Sequence, residues 1–189
     1  MLIQRQKSLL LVVDLQEKLA PAIFEGKRAI RNSVRLLDGA RQLGVPAFIS
    51  EQYVRGLGHS VEAVRNAATI ETEAGPRVNA KFFEKTHFSC TAEAGVTELL
   101  QAVQRPQVIL TGTETHVCVL QTAMGLLAAG FSVFLVADAA SSRSPANHDA
   151  AVERLRAAGG NIVTTEMVLF EWLEAACTEE FRAILPLIR

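Results

Sequence analysis

Three residues of this chain stand where their types could do chemistry together: a cysteine, an aspartate and a lysine. Cys118 closes the segment Thr111-Gly112-Thr113-Glu114-Thr115-His116-Val117-Cys118, which joins an apolar run to a helical stretch. A cysteine at or near a helix N-terminus meets free N–H groups and the positive end of the helix dipole, and both favour thiolate over thiol. A thiolate so placed is a nucleophile, and the same N–H groups could cradle an oxyanion. Asp14 ends the all-apolar run Leu9 to Val13. An ionised carboxylate there needs a hydrogen-bond partner, and burial raises its pKa until it can take a thiol's proton. Lys85, after Phe82-Phe83-Glu84, could face the same site and hold both charges. Each residue also has a plain structural reading. Cys118 would then be a small buried residue, Asp14 a helix N-cap and Lys85 a solvated surface cation.

These residues follow apolar runs of strand length, and the runs alternate with helical patterns. Leu9 to Val13, Val45 to Ser50, Val108 to Leu110, Val133 to Val136 and Ile162 to Thr164 read as strands buried on both faces, with a weaker one at Phe82-Phe83-Glu84. Helices are expected over Ile30 to Leu43 before Gly44, from Thr91 as N-cap to about Gln104, over Val117 to Ala129, and over Ala146 to Ala158 before Gly159. The expected fold class is α/β: a single-domain, three-layer Rossmann-like fold with a mostly parallel sheet of about six strands and helices on both faces. In such sheets ligands bind beyond the carboxyl ends of the strands, which is where Asp14, Ser50-Glu51-Gln52, Lys85, the Cys118 segment and Asp138 fall.

Composition narrows the field. The 189 residues suit one domain, 49% are hydrophobic and 21% charged, and 19 basic residues against 20 acids leave a net charge of −1. That balance, without a basic block, argues against nucleic acid as a partner. The turn Asp14-Leu15-Gln16-Glu17-Lys18 has no glycine and there is no phosphate-binding lysine loop, so dinucleotides and nucleoside triphosphates are excluded and no cofactor is expected. Three cysteines, Cys90, Cys118 and Cys177, make no disulfide framework and fit a reducing, cytoplasmic setting. The uncharged stretch Val117 to Ala137 is long enough to cross a bilayer, but Gln121, Thr122 and Gly130-Phe131-Ser132 divide it into a helix and a strand, and no membrane partner is expected.

Val12-Val13-Asp14-Leu15-Gln16, Glu84-Lys85-Thr86-His87-Phe88-Ser89, Gly112-Thr113-Glu114-Thr115-His116-Val117-Cys118-Val119 with Gln121-Thr122-Ala123, and Ala137-Asp138-Ala139 with Ser141-Ser142-Arg143-Ser144 together resemble the isochorismatase-like cysteine hydrolases. The resemblance spans nearly the whole chain and implies one hydrolase domain over residues 1–189. It implies an Asp14-Lys85-Cys118 triad in which Cys118 attacks a carbonyl, Asp14 shuttles the proton and Lys85 holds the charged pair. It further implies a cis peptide at Thr113–Glu114, turning the Glu114 N–H toward an oxyanion beside the N–H of Cys118.

Two features depart from the metal-binding nicotinamidases of that family. Ser50 to His59 holds one histidine and no Asp-x-His motif, so no metal is expected. Leu19 stands where many amidase members carry an aromatic. The stretch Glu51 to His59 looks more like the isochorismatase domain-containing subgroup. Leu19, Phe24, Tyr53 and Phe88 are the candidate pocket residues, each equally readable as core. The activity expected is hydrolysis of a small-molecule amide or related C–N bond through an acyl-thioester. The alternatives are isochorismatase-type vinyl-ether hydrolysis, which need not use the cysteine, and a non-catalytic oligomeric scaffold. The charge-free helix Val117 to Ala129 demands cover on both sides, which predicts a homo-oligomer, a dimer or higher. Phe170-Glu171-Trp172-Leu173 of the same chain could supply that cover instead.

Overall fold

In the computed structural model, which describes residues 1–72, 75–78 and 80–188, the alternation of strand and helix is built as one sheet with helices on both faces. Its strands are β1 (Ser8–Val13), β2 (Ala47–Gln52), β5 (Ala80–Lys85), β6 (Gln107–Thr113), β7 (Ser132–Ser141) and β8 (Asn161–Val163). They run in the order β5-β2-β1-β6-β7-β8, every pair parallel. The chain lays strands outward from β1 through β2 to β5, then returns to the other side of β1 with β6. The switch of direction therefore falls between β1 and β6, which opens a crevice at their carboxyl ends.

Period-two alternation decides which residue enters which core. Leu10 and Val12 of β1 join one apolar cluster, with Leu36, Leu37, Trp172 and Ile184. Leu9, Leu11 and Val13 join the other, with Leu100, Leu126 and Leu155. The first face is covered by α1 (Gly26–Leu43), α3 (Glu62–Ala67), α7 (Thr165–Leu173) and α8 (Glu179–Ile188). The second is covered by α4 (Val96–Gln101), α5 (Leu120–Ala128) and α6 (Pro145–Ala157). A four-residue turn, α2 (Val54–Leu57), follows β2.

Several boundaries differ from expectation, each for a local reason. α1 begins at Gly26, earlier than Ile30, because Glu25 enters it from the left-handed region at φ 48°. The helix expected from Thr91 is split: Ser89 caps a 3-10 turn over Cys90–Ala92, and Gly95, at φ 79°, starts α4 afresh. The helix expected at Val117 begins as a π-helical turn, Thr115–Val119, that runs into α5. Before β5, where no strand was expected, β3 (Thr69–Thr72) pairs antiparallel with β4 (Gly75–Val78). Phe170 to Leu173 lies in α7, against α1 on the face opposite α5, so it does not cover α5.

Candidate active site

β1, β2 and β5 bring the aspartate and the lysine together through register. Val13 pairs with Ser50, and Gln52 pairs with Lys85, so the carboxyl ends of three parallel strands meet. Asp14 leaves β1 in the left-handed region at φ 54°, Tyr53 leaves β2 at φ 40°, and Glu114 leaves β6 at φ 54°. Non-glycine residues held there cost on the order of 1–3 kcal/mol each and gather where a site over-determines the backbone.

The Asp14 carboxylate is fully buried and both its oxygens are partnered. The Ser50 hydroxyl donates to Oδ1 at 2.7 Å and the Lys85 ammonium to Oδ2 at 2.8 Å. Lys85, whose side chain is equally buried, also donates to Gln52 Oε1 at 2.5 Å and to the carbonyls of His87 and Phe88 at 3.2 and 3.1 Å. Its N–H groups are thus fully engaged. Gln52 is fixed in turn: its amide donates to the Thr86 carbonyl, and its backbone N–H to Gln16 Oε1 at 2.7 Å. The Thr113 hydroxyl donates to the Asp14 carbonyl at 2.5 Å, tying β6 to β1 across the crevice.

Cys118 sits in the π-helical turn after β6, 5% exposed. Burial pushes its thiol well above the ordinary range, the Asp14 charge and its hydrogen bond push it further, and Lys85 opposes. Desolvation thus works against the thiolate that a helix start favours. Cys90 is a second buried thiol on the same face, pushed up to about 11 by burial and by Asp14. Its backbone N–H donates to Thr122 Oγ1, one turn beyond Cys118.

The Thr113–Glu114 peptide is not cis, nor is any other among the described residues. The chain turns at Glu114 through its positive φ, next to Gly112 at φ 133°. The buried Glu114 carboxylate accepts from Arg143 Nε at 2.8 Å and lies 3.3 Å from His116 Nδ1. His116 also meets the Ser142 hydroxyl at 3.0 Å, and His148 meets the Thr115 hydroxyl. Burial lowers the His148 pKa.

The pocket candidates separate. Tyr53, 57% exposed, lines a cleft of about 320 Å³ with Val54, Arg55, Glu84, Lys85, Thr86 and Glu93. Phe88 and Phe24 are exposed outside that cleft, and Leu19 is half-buried. Ser50 and Gln52, which orient Asp14 and Lys85, were marked by the sequence only as polar residues ending an apolar strand. Asp138 takes no part: its carboxylate accepts from the Thr165 N–H and hydroxyl at the start of α7, and from Asn32. His59 pairs with Glu51 at 2.9 Å on an exposed loop. Among the described residues no group of three His, Cys, Asp or Glu side chains could hold a metal ion. No helix among them is long and apolar enough to cross a membrane.

Comparison with known proteins agrees with this architecture. The isochorismatase domain model matches residues 8–167. Isochorismatase domain-containing protein 2 of Danio rerio is 38% identical over 181 residues, covering 96% of this chain and 86% of its own. Isochorismatase family protein 1A of Dictyostelium discoideum is 34% identical over 181 residues, covering 95% and 85%. The structure of the MAR1 ribonuclease from Caenorhabditis elegans superposes with a TM-score of 0.90 at 35% identity, covering 100% of this chain and 92% of that one. With the domain matched along most of its length and relatives this similar over nearly all of it, the chain belongs to the isochorismatase family of hydrolases.

Proposed function

We propose that this protein is a cysteine hydrolase that cleaves the C–N bond of a small-molecule amide, with Asp14, Lys85 and Cys118 as its catalytic residues. The observation that carries the reading is the Asp14 carboxylate. It is fully buried, paired with Lys85 at 2.8 Å, oriented by Ser50, and adjacent to the Cys118 thiol. A buried carboxylate beside a raised thiol is a base whose proton transfer can be coupled to attack. The Cys118 Sγ–C bond forms as the thiol proton passes to Asp14. The C–N bond then breaks as Asp14 returns that proton to the leaving amine. Water attacks the thioester, giving a proton to Asp14, and the carboxylic acid leaves as Sγ recovers that proton. The N–H of Cys118 would stabilise the oxyanion. No cofactor or metal enters this scheme.

The name of the Caenorhabditis elegans structure raises RNA as a substrate. A nucleophile only 5% exposed and a net charge of −1 support a small molecule over a polyanion. We read residues 1–189 as one hydrolase domain, since α7 and α8, beyond or at the end of the matched segment, complete the same core through Trp172 and Ile184. Reduced cysteines favour a cytoplasmic setting, and the assembly proposed is a homo-oligomer.

The test is a panel of small amides, ureas and carbamates, with a vinyl ether and an RNA oligomer, read by acyl-enzyme mass shifts and product release. Expected is a covalent adduct on Cys118 with an amide, absent in Cys118→Ala, and no RNA cleavage. Vinyl-ether turnover that survives Cys118→Ala would replace this reading with the isochorismatase reaction. Inertness of Cys118 toward the whole panel would favour a scaffold.

A further inference from the structure

We infer that the cleft of about 320 Å³ at the ends of β2 and β5 binds a small basic amino acid, a ligand with one carboxylate and an excess of positive charge. That volume is at the small end of ligand pockets. The cleft is lined by the cation Arg55 and by the acids Glu84 and Glu93. Arg55 and Glu84 are both exposed, no ion pair joins them, and neither has a partner among the described residues. Glu93 is held in place by the N–H groups of Thr86 and His87 and by the His87 ring, which keep its carboxyl below the ordinary range. Opposite charges that share a cleft without pairing suit a ligand that carries both, with its carboxylate on the Arg55 fork and its cations on the acids. Two carboxylates against one free guanidinium call for more positive charge than negative on that ligand.

The aromatic wall agrees with this charge. Tyr53 is 57% exposed, and a Cβ on Gly56 would collide with its ring, so the ring is seated against the Gly56 backbone. An aromatic face fixed in this way attracts a guanidinium or an ammonium. Lys85 also lines the cleft but adds no free charge, because its Nζ is spent on Asp14, Gln52 and the carbonyls of His87 and Phe88. Neither Asp14 nor Cys118 lines the cleft, so a ligand there is held without being cleaved, and the inference does not depend on the hydrolase reading. The walls are nonetheless tied to the buried ion pair. The Tyr53 N–H donates to the Lys85 carbonyl at 2.9 Å, and the Gln52 amide to the Thr86 carbonyl at 2.8 Å. A bound ligand would therefore brace the strand ends that hold Lys85.

Three probes that differ by one charged group test this by isothermal titration of the full chain: L-arginine, agmatine, which lacks the carboxylate, and L-norvaline, which lacks the guanidinium. L-Arginine is expected to bind about fivefold more tightly than either of the others, the size of one exposed ion pair. In R55Q, L-arginine and agmatine should bind alike, and E84Q should weaken both of these about fivefold. Arg55 and Glu84 are exposed, so neither variant puts the fold at risk, and Cys118→Ala should bind L-arginine as the parent chain does. No binding of L-arginine, equal affinities for the three probes, or an L-arginine affinity unchanged in either R55Q or E84Q would overturn the inference and leave the hydrolase reading standing. Loss of L-arginine binding in Cys118→Ala would overturn it too, by placing the ligand at the nucleophile.

Discussion

At the scale of single residues the site is an electrostatic closed circuit, in which Asp14 and Lys85 are each tolerable in the core only because the other is present. Removing one partner of a buried ion pair leaves an uncompensated charge, which costs about 3–5 kcal/mol. Lys85→Met is therefore expected to lower stability by about that amount, whereas Asp14→Asn combined with Lys85→Met should recover much of it. Urea unfolding of the two single variants and the double variant checks this. Strictly additive losses would show that the two side chains are not coupled in the fold. Both single variants should lose turnover, which separates the two consequences: the double variant regains stability without regaining activity.

At the scale of elements, the approach of β6 to β1 is set by a glycine. A Cβ on Gly112 would lie 2.0 Å from the Val13 carbonyl oxygen, and the residue has φ 133°, a conformation that side-chain-bearing residues rarely adopt. Gly112→Ala is thus expected to destabilise by about 3 kcal/mol or more and to push Asp14 and the Cys118 turn apart. A melting temperature equal to that of the parent chain would refute this. The loop after α2 is tied down differently, by Glu51 at the end of β2. Burial would raise the Glu51 carboxyl, but the Ser60 N–H, donating at 2.6 Å, and His59 prevail and hold it below the ordinary value of 4.5. A carboxyl whose folded pKa is depressed contributes stability that is present above its unfolded pKa and lost as pH falls through the folded one. Stability should accordingly decline below about pH 4.5, and Glu51→Gln should flatten that part of the profile. An unchanged slope in the variant would remove Glu51 from the account.

At the scale of the whole molecule the unresolved demand is cover for α5. Its inner face packs on β7 and the second core through Leu120, Ala123 and Leu126. Its outer face carries Gln121 and Ala128 exposed and Met124 and Leu127 half-buried, with no charge anywhere from Val117 to Ala137. A monomer would leave that surface against water, where a surface helix usually carries a polar stripe. A mass of at least two chains is expected by light scattering at micromolar concentration, and Leu127→Glu should shift it toward one. A mass near 20.5 kDa for the parent chain would refute the assembly.

How much of this was legible in the sequence depends on the range of the physics involved. Apolar runs of strand length alternating with helical periods determined the parallel α/β sandwich, because burial on both faces is a local property of each run. Asp14, Lys85 and Cys118 were also marked, by residue type at the ends of those runs. Ser50 and Gln52 were not assigned, because their roles depend on strand pairing, Val13 with Ser50 and Gln52 with Lys85, which no single segment encodes. The influences on the Cys118 thiol divide in the same way: the helix end is a local signal, whereas the desolvation that opposes it comes from the packed molecule. The turn at Glu114 by a positive φ and a trans peptide was likewise decided in three dimensions, by Gly112 against Val13 and by Arg143 reaching back from beyond β7. Sequence determined which residues stand at the strand ends. Tertiary structure decided which of them touch and, through burial, how hard the thiols among them are to ionise.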